Sequence, residues 1–145
     1  MRITLPARST AFALLFVIVV FVASLGAARA DGGLLDGRAF IADAGVRNKA
    51  ADEKGDVITF AGGKFHSSVC DQWGYGRGEY KSSGGGGAQV EFEVETVSDK
   101  DGRLAWKGVV NGDSIEGTFI HFRKPSRLRP NPEPIEHWFK GKAKV

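Results

Sequence analysis

The chain of 145 residues holds one cysteine, Cys70, and one methionine, at position 1. A single thiol cannot form an intramolecular disulfide, so the fold has to be held by packing. Neither C-x-x-C nor H-x-x-x-H occurs, and the three histidines, His66, His121 and His137, lie far apart in sequence. That spacing argues against a zinc site, which needs three or four clustered ligands. Long apolar runs are missing too. The longest, residues 11–25, has 15 residues, short of the roughly 20 that a spanning helix needs. There is also no working excess of one charge. Three of the 20 basic residues, Arg2, Arg8 and Arg29, precede residue 31, leaving 17 basic against 17 acidic residues over 31–145. The basic character belongs to the first 30 residues, which argues against a nucleic-acid role.

Those first 30 residues have a grammar of their own. Arg2 and Arg8 precede the apolar run, and Ala28-Arg29-Ala30 follows it as an A-x-A processing site. This pattern predicts a secretory signal peptide over 1–30 and a single domain over 31–145. The expected location is periplasmic or extracellular, with no stable membrane anchor. Cys70 is too far from the run to be the acylated first residue of a lipoprotein.

Over 31–145 the apolar residues recur with period two. Val90, Phe92 and Val94 alternate with Gln89, Glu91, Glu93 and Glu95, as on a strand with one face buried and one in water. Residues 103–110 and 113–120 flank Asn111-Gly112, which predicts a hairpin with a type I′ turn. Residues 57–60 and 64–67 predict another around Gly62-Gly63. Residues 35–42 read as a first strand interrupted at Gly37, and 44–55 as a short polar helix or lid. Residues 82–87, with four consecutive glycines, read as a flexible hairpin tip, since no helix carrying Lys-Ser/Thr follows. Residues 125–134 hold four of the five prolines with Arg127 and Arg129, a semi-rigid basic loop. In the last stretch, Phe139, Gly141, Ala143 and Val145 share one face, and Trp138 with three lysines the other. About seven or eight short antiparallel strands result, an all-β meander. Interior glycines Gly37, Gly108, Gly117 and Gly141 favour sharply coiled strands and hence a barrel. A β-sandwich is the alternative.

The segments Lys64-Phe65-His66-Ser67-Ser68-Val69-Cys70 with Trp73-Gly74-Tyr75-Gly76, residues 106–118, and Trp138-Phe139-Lys140-Gly141 together resemble a group of small secreted bacterial proteins of unknown function. The resemblance covers most of residues 34–145 and implies a calycin-like (lipocalin-like) barrel. Its motifs are strand-and-turn motifs, so it implies a fold and carries over no set of functional residues.

Chemistry-bearing residues are sparse. If the strand through His66 continues, Ser68 and Cys70 share its face, but His66 and Cys70 would then stand about 13 Å apart, too far for a dyad unless the chain bends at Val69. A free cysteine behaving as a small buried residue is the plainer account. Glu91, Glu93 and Glu95 fall on the solvent face, and Asp99, Asp101 and Asp113 fall in turns, where Asp bonds its own backbone. Residues 70–80 are the most unusual stretch, with alternate glycines spacing aromatics and one arginine. They read either as a rim whose Trp73, Tyr75 and Arg77 close over a ligand, or as a bulged strand whose aromatics plug the barrel end. Trp106, in phase with Leu104, Gly108 and Val110, is placed inward. The expectation is an exported, non-enzymatic barrel needing no cofactor or metal and binding a small apolar molecule through Trp73, Tyr75, Arg77 and Trp106. One alternative is a filled barrel working through its surface, for which the basic proline-rich loop is the first candidate. The other is a hydrolase or redox protein using Cys70 with a histidine.

Overall fold

The computed structural model describes residues 33–84 and 89–145. The expected signal peptide and residues 85–87 of the expected glycine tip lie outside the described residues, while 82–84 of that tip are strand. Eight antiparallel strands run in chain order and close on themselves: β1 (Ala39–Val46), β2 (Glu53–Ala61), β3 (Lys64–Ser67), β4 (Gly78–Gly84), β5 (Gln89–Ser98), β6 (Gly102–Asn111), β7 (Ser114–Arg123) and β8 (Ile135–Ala143). The barrel is the expected architecture, and the sandwich is excluded because β8 pairs with β1, from Phe40–Ala143 to Val46–His137.

Strand alternation sets the two faces. In β5, Phe92, Val94 and Thr96 are buried while Glu91, Glu93 and Glu95 are exposed, as charge on every second residue requires in a one-sided sheet. Trp138, Lys140 and Lys142 likewise face outward on β8 while Phe139 is buried. Because β8 is paired on both sides, that lysine-bearing face is an outer wall and not an edge.

Several expected boundaries move. The first strand begins at Ala39. Leu35 and Gly37 lie before it in a turn, where Gly37 has φ +85° and Leu35 is buried. Residues 44–55 form no helix: residues 44–46 complete β1, Glu53 opens β2, and a short turn joins them. The turn at Gly62-Gly63 has positive φ at both residues, as a type I′ turn demands. At the other hairpin the loop is Gly112-Asp113 instead, because Asn111 pairs with Ser114. Only Gly112 is left-handed there, at φ +57°, which matches the φ pattern of a II′ turn with glycine first and not the expected I′ turn.

Four connections crowd one end of the barrel, here the upper end: β1–β2, β3–β4, β5–β6 and β7–β8. The lower end carries the β2–β3 and β6–β7 turns and the chain entering β1.

Candidate functional site

The lumen is occupied by aromatic rings. Phe60 meets Phe40, Phe65, Tyr80 and Phe92 edge-on at 6.3, 5.6, 5.0 and 5.1 Å between centroids. Trp106 then contacts Phe65 at 4.9 Å, Phe139 at 5.4 Å and Phe119 at 4.2 Å. Room for this comes from Gly108 and Gly117, which pair directly across β6 and β7. A Cβ on Gly108 would stand 2.7 Å from the Phe92 ring and 2.8 Å from Phe139. The glycines expected to coil the strands therefore also act as seats for rings.

Both ends are stopped. At the lower end Leu35 is buried, its N–H donating to Tyr80 Oη at 3.1 Å, while that hydroxyl donates to Asp36 Oδ1 at 2.7 Å. Burial and the Asp36 carboxylate push the Tyr80 phenol up to about 12, so it remains a donor. At the upper end the plug is Tyr75, 4% exposed. Its hydroxyl donates to Asp101 Oδ2 at 2.8 Å. His121 Nε2 lies 3.0 Å from the same oxygen, an ion-pair distance but off the line a hydrogen bond needs. His137 stacks flat on Phe119 at 4.6 Å, and its ring centroid is 6.4 Å from that of His121. Burial lowers the pKa of His137, and the neighbouring His121 lowers it further.

The four residues expected to bind a ligand are dispersed by this arrangement. Trp106 is 2% exposed in the core, donating from Nε1 to Thr96 Oγ1 at 3.3 Å. Tyr75 joins the same core, while Trp73 is half exposed and Arg77 is exposed. The reason is local. After Ser67 the chain enters a 3₁₀ turn, Val69–Trp73, ended by Gly74 in the left-handed region. The turn breaks the period of two, and the segment is a plug, not a bulged strand.

Around Cys70 the same turn builds a polar corner. Buried Asp56 accepts from Ser67 Oγ at 2.6 Å, Ser68 Oγ at 3.1 Å and the Val69 N–H at 3.0 Å. Cys70 Sγ lies 3.1 Å from Ser67 Oγ. That hydroxyl has one proton, and the carboxylate at the shorter distance takes it. Burial pushes the thiol up to about 12, and the nearby Asp56 and Asp71 carboxylates push the same way. His66 turns instead to Asp71, 2.7 Å from Nε2 to Oδ1. This arrangement keeps the thiol protonated and engages His66 with Asp71.

The large open space is on the outer wall. A groove of about 910 Å³ crosses strands β4 to β8, and the paired glycines form part of its floor. Lys81, Glu93 and Lys107 stand along one side and Glu91, Glu116 and Lys140 along the other, as the register Lys81–Glu93–Lys107 and Glu91–Val109–Glu116–Lys140 requires. Among the described residues none of these six forms an ion pair. Trp138 closes one end. Its Nε1 donates to the Lys49 carbonyl at 3.0 Å, which holds the indole over Gly45. A recess of about 330 Å³ shares Lys81, Glu93 and Lys107 with it. The sequence carried a signal for this groove in the glycine pair, but that signal depends on knowing the turn. The chain matches no family model, no curated protein and no solved structure.

Proposed function

We propose that the protein is an exported, non-catalytic binding module that works from its outer wall, with the groove over Gly108 and Gly117 as its site. The observation that carries this reading is the ring-packed lumen, stopped by Leu35 below and Tyr75 above, beside an open groove outside. The eight-stranded meander supports the calycin-like resemblance, but a small apolar guest would have to displace Phe60 or Trp106 from a packed core. The protonated Cys70, with His66 engaged by Asp71, speaks for binding over catalysis. The ligand class follows from the walls. Three lysines and three glutamates are mixed along the two sides, so the groove attracts neither polyanion nor polycation, while it presents donors and acceptors beside the fixed face of Trp138. A neutral, hydroxyl-rich chain such as an oligosaccharide fits those terms.

Titration of isotope-labelled protein with cello- and chito-oligosaccharides tests this. Saturable shifts are expected at the Gly108 and Gly117 amides and the Trp138 indole, and Trp138→Ala should weaken binding at least fivefold with its melting temperature little changed. No shift at these positions, or a saturable shift of the Trp106 indole with a fatty acid instead, overturns the reading.

A further inference from the structure

The β7–β8 connection carries a second surface, independent of the groove. Within it Ser126 and Arg129 close on each other: the Ser126 N–H donates to the Arg129 carbonyl at 2.9 Å, and the Arg129 N–H to the Ser126 carbonyl at 3.1 Å. Arg127 and Leu128 therefore form the apex of a tight turn flanked by Pro125 and Pro130. Both stems are fastened. The Lys124 N–H donates to the Asp101 carbonyl at 2.9 Å and Lys124 Nζ to the Asp99 carbonyl at 2.6 Å, while Arg123 reaches the Glu133 carbonyl at 3.2 Å. The apex is thus preformed, and no described residue covers it. Leu128 is 99% exposed. Arg127 and Arg129 have no acidic partner among the described residues.

Other apolar groups are exposed at the same barrel end. Trp73 is half exposed, and its carbonyl accepts from Ser98 Oγ at 2.6 Å, which ties it to the β5–β6 turn that also holds Lys124. Val97, next to that turn, is more than half exposed. A leucine alone on a convex apex, between two unpaired guanidinium groups and with a tryptophan on the same end, matches the chemistry of a lipid–water interface. The apolar tip enters the acyl boundary, guanidinium groups bind headgroup phosphates, and indole sits at headgroup level. A protein partner would have to offer a pocket to a single projecting side chain, whereas a fluid surface accepts it without shape matching. We infer that the upper end of the barrel docks reversibly on an anionic lipid surface, with Leu128 inserted between Arg127 and Arg129.

The test is co-sedimentation of the exported protein with vesicles of phosphatidylglycerol and phosphatidylcholine in equal parts, against phosphatidylcholine alone. Variants with the same N-terminus are compared, so that any retained leader contributes equally to each. Partitioning to the anionic vesicles is expected to fall roughly tenfold in Leu128→Ser and about fivefold for each arginine in Arg127→Gln and Arg129→Gln. Vesicles should also shift tryptophan emission to the blue, and Trp73→Ser should remove that shift. The substituted side chains at the apex are exposed, so melting temperatures should match the parent and separate lost docking from lost folding. No binding to anionic vesicles, or binding equal in all variants, overturns the inference. So does a tip that binds polyglutamate as tightly as vesicles and is indifferent to Leu128→Ser, which would assign it to an acidic protein.

Discussion

The two ends of the barrel solve one problem with the same parts and different wiring. Each is stopped by a buried side chain, and each uses a tyrosine hydroxyl donating to an aspartate. Below, the tyrosine belongs to a strand and the aspartate to the turn. Asp36 also accepts the Gly63 N–H, and Tyr80 Oη accepts the Leu35 N–H. The lower latch is thus a branched network joining β2–β3, β4 and the chain entering β1. Above, the tyrosine belongs to the loop and the aspartate to the β5–β6 turn. Tyr75 Oη makes a single bond to a carboxylate that has His121 as a second neighbour. The lower end is cross-braced through several bonds to one aspartate and one tyrosine, whereas the upper end closes on a single bond beside two imidazoles.

Removing the lower stopper, Leu35, should do the most damage. Leu35→Ala empties a fully buried site and should cost about 2–5 kcal/mol, read as a lower urea midpoint with an unchanged m-value. A cost well under that range would mean that Leu35 is not a stopper. The tyrosines sharpen the contrast. Tyr80→Phe leaves both the Leu35 N–H and an Asp36 lone pair without their partner, for about 1–3 kcal/mol. Tyr75→Phe leaves Asp101 beside His121 and should cost about 1 kcal/mol. Equal costs in chemical denaturation would remove the distinction between the two latches. The smallest effect is that of pH. Burial lowers the pKa of His137 from its ordinary 6.5, so the unfolded chain binds that proton more readily, and stability must fall as pH drops through the ordinary value. His121 and Asp52 are the charged groups that act on it, the first lowering and the second raising its pKa. Melting temperatures from about pH 7 to pH 5 should decline, and less steeply in His137→Phe, which keeps the stack on Phe119. Parallel declines would place the acid sensitivity elsewhere.

Most of the barrel was legible because alternation alone fixes which face of a strand is buried. Val90 to Val94, the inward position of Trp106 and the two-faced β8 all follow from it. The hairpin shows where that legibility stops. Choosing Asn111-Gly112 in place of Gly112-Asp113 shifts the register by two residues. A shift of two leaves every side chain on its proper face, so the inward and outward assignments survive the error. It does, however, set Gly108 opposite Ile115 and hides the Gly108–Gly117 pair that floors the groove. The ligand site suffered from a different assumption. Trp73, Tyr75 and Arg77 share a face only if the chain is extended, and the 3₁₀ turn with left-handed Gly74 leaves Tyr75 alone pointing inward. Nothing in local propensity announces that turn. It is held by Asp56, about a dozen residues away in β2.

Closure between β1 and β8 has a consequence in time. Its paired residues, such as Phe40 and Ala143, are about a hundred positions apart, so that ladder forms against the largest loop entropy in the chain. The neighbouring hairpins can zip locally within microseconds, yet the ring stays open until the last strand arrives. The interval before then is set by β8 finding β1, and during it Phe139 and the rings it covers remain exposed to solvent. Substitutions in the β6–β7 hairpin, already paired when the ring closes, therefore act first on the rate of reaching the native state, and those in the late-formed β1–β8 seam act chiefly on how long that state lasts.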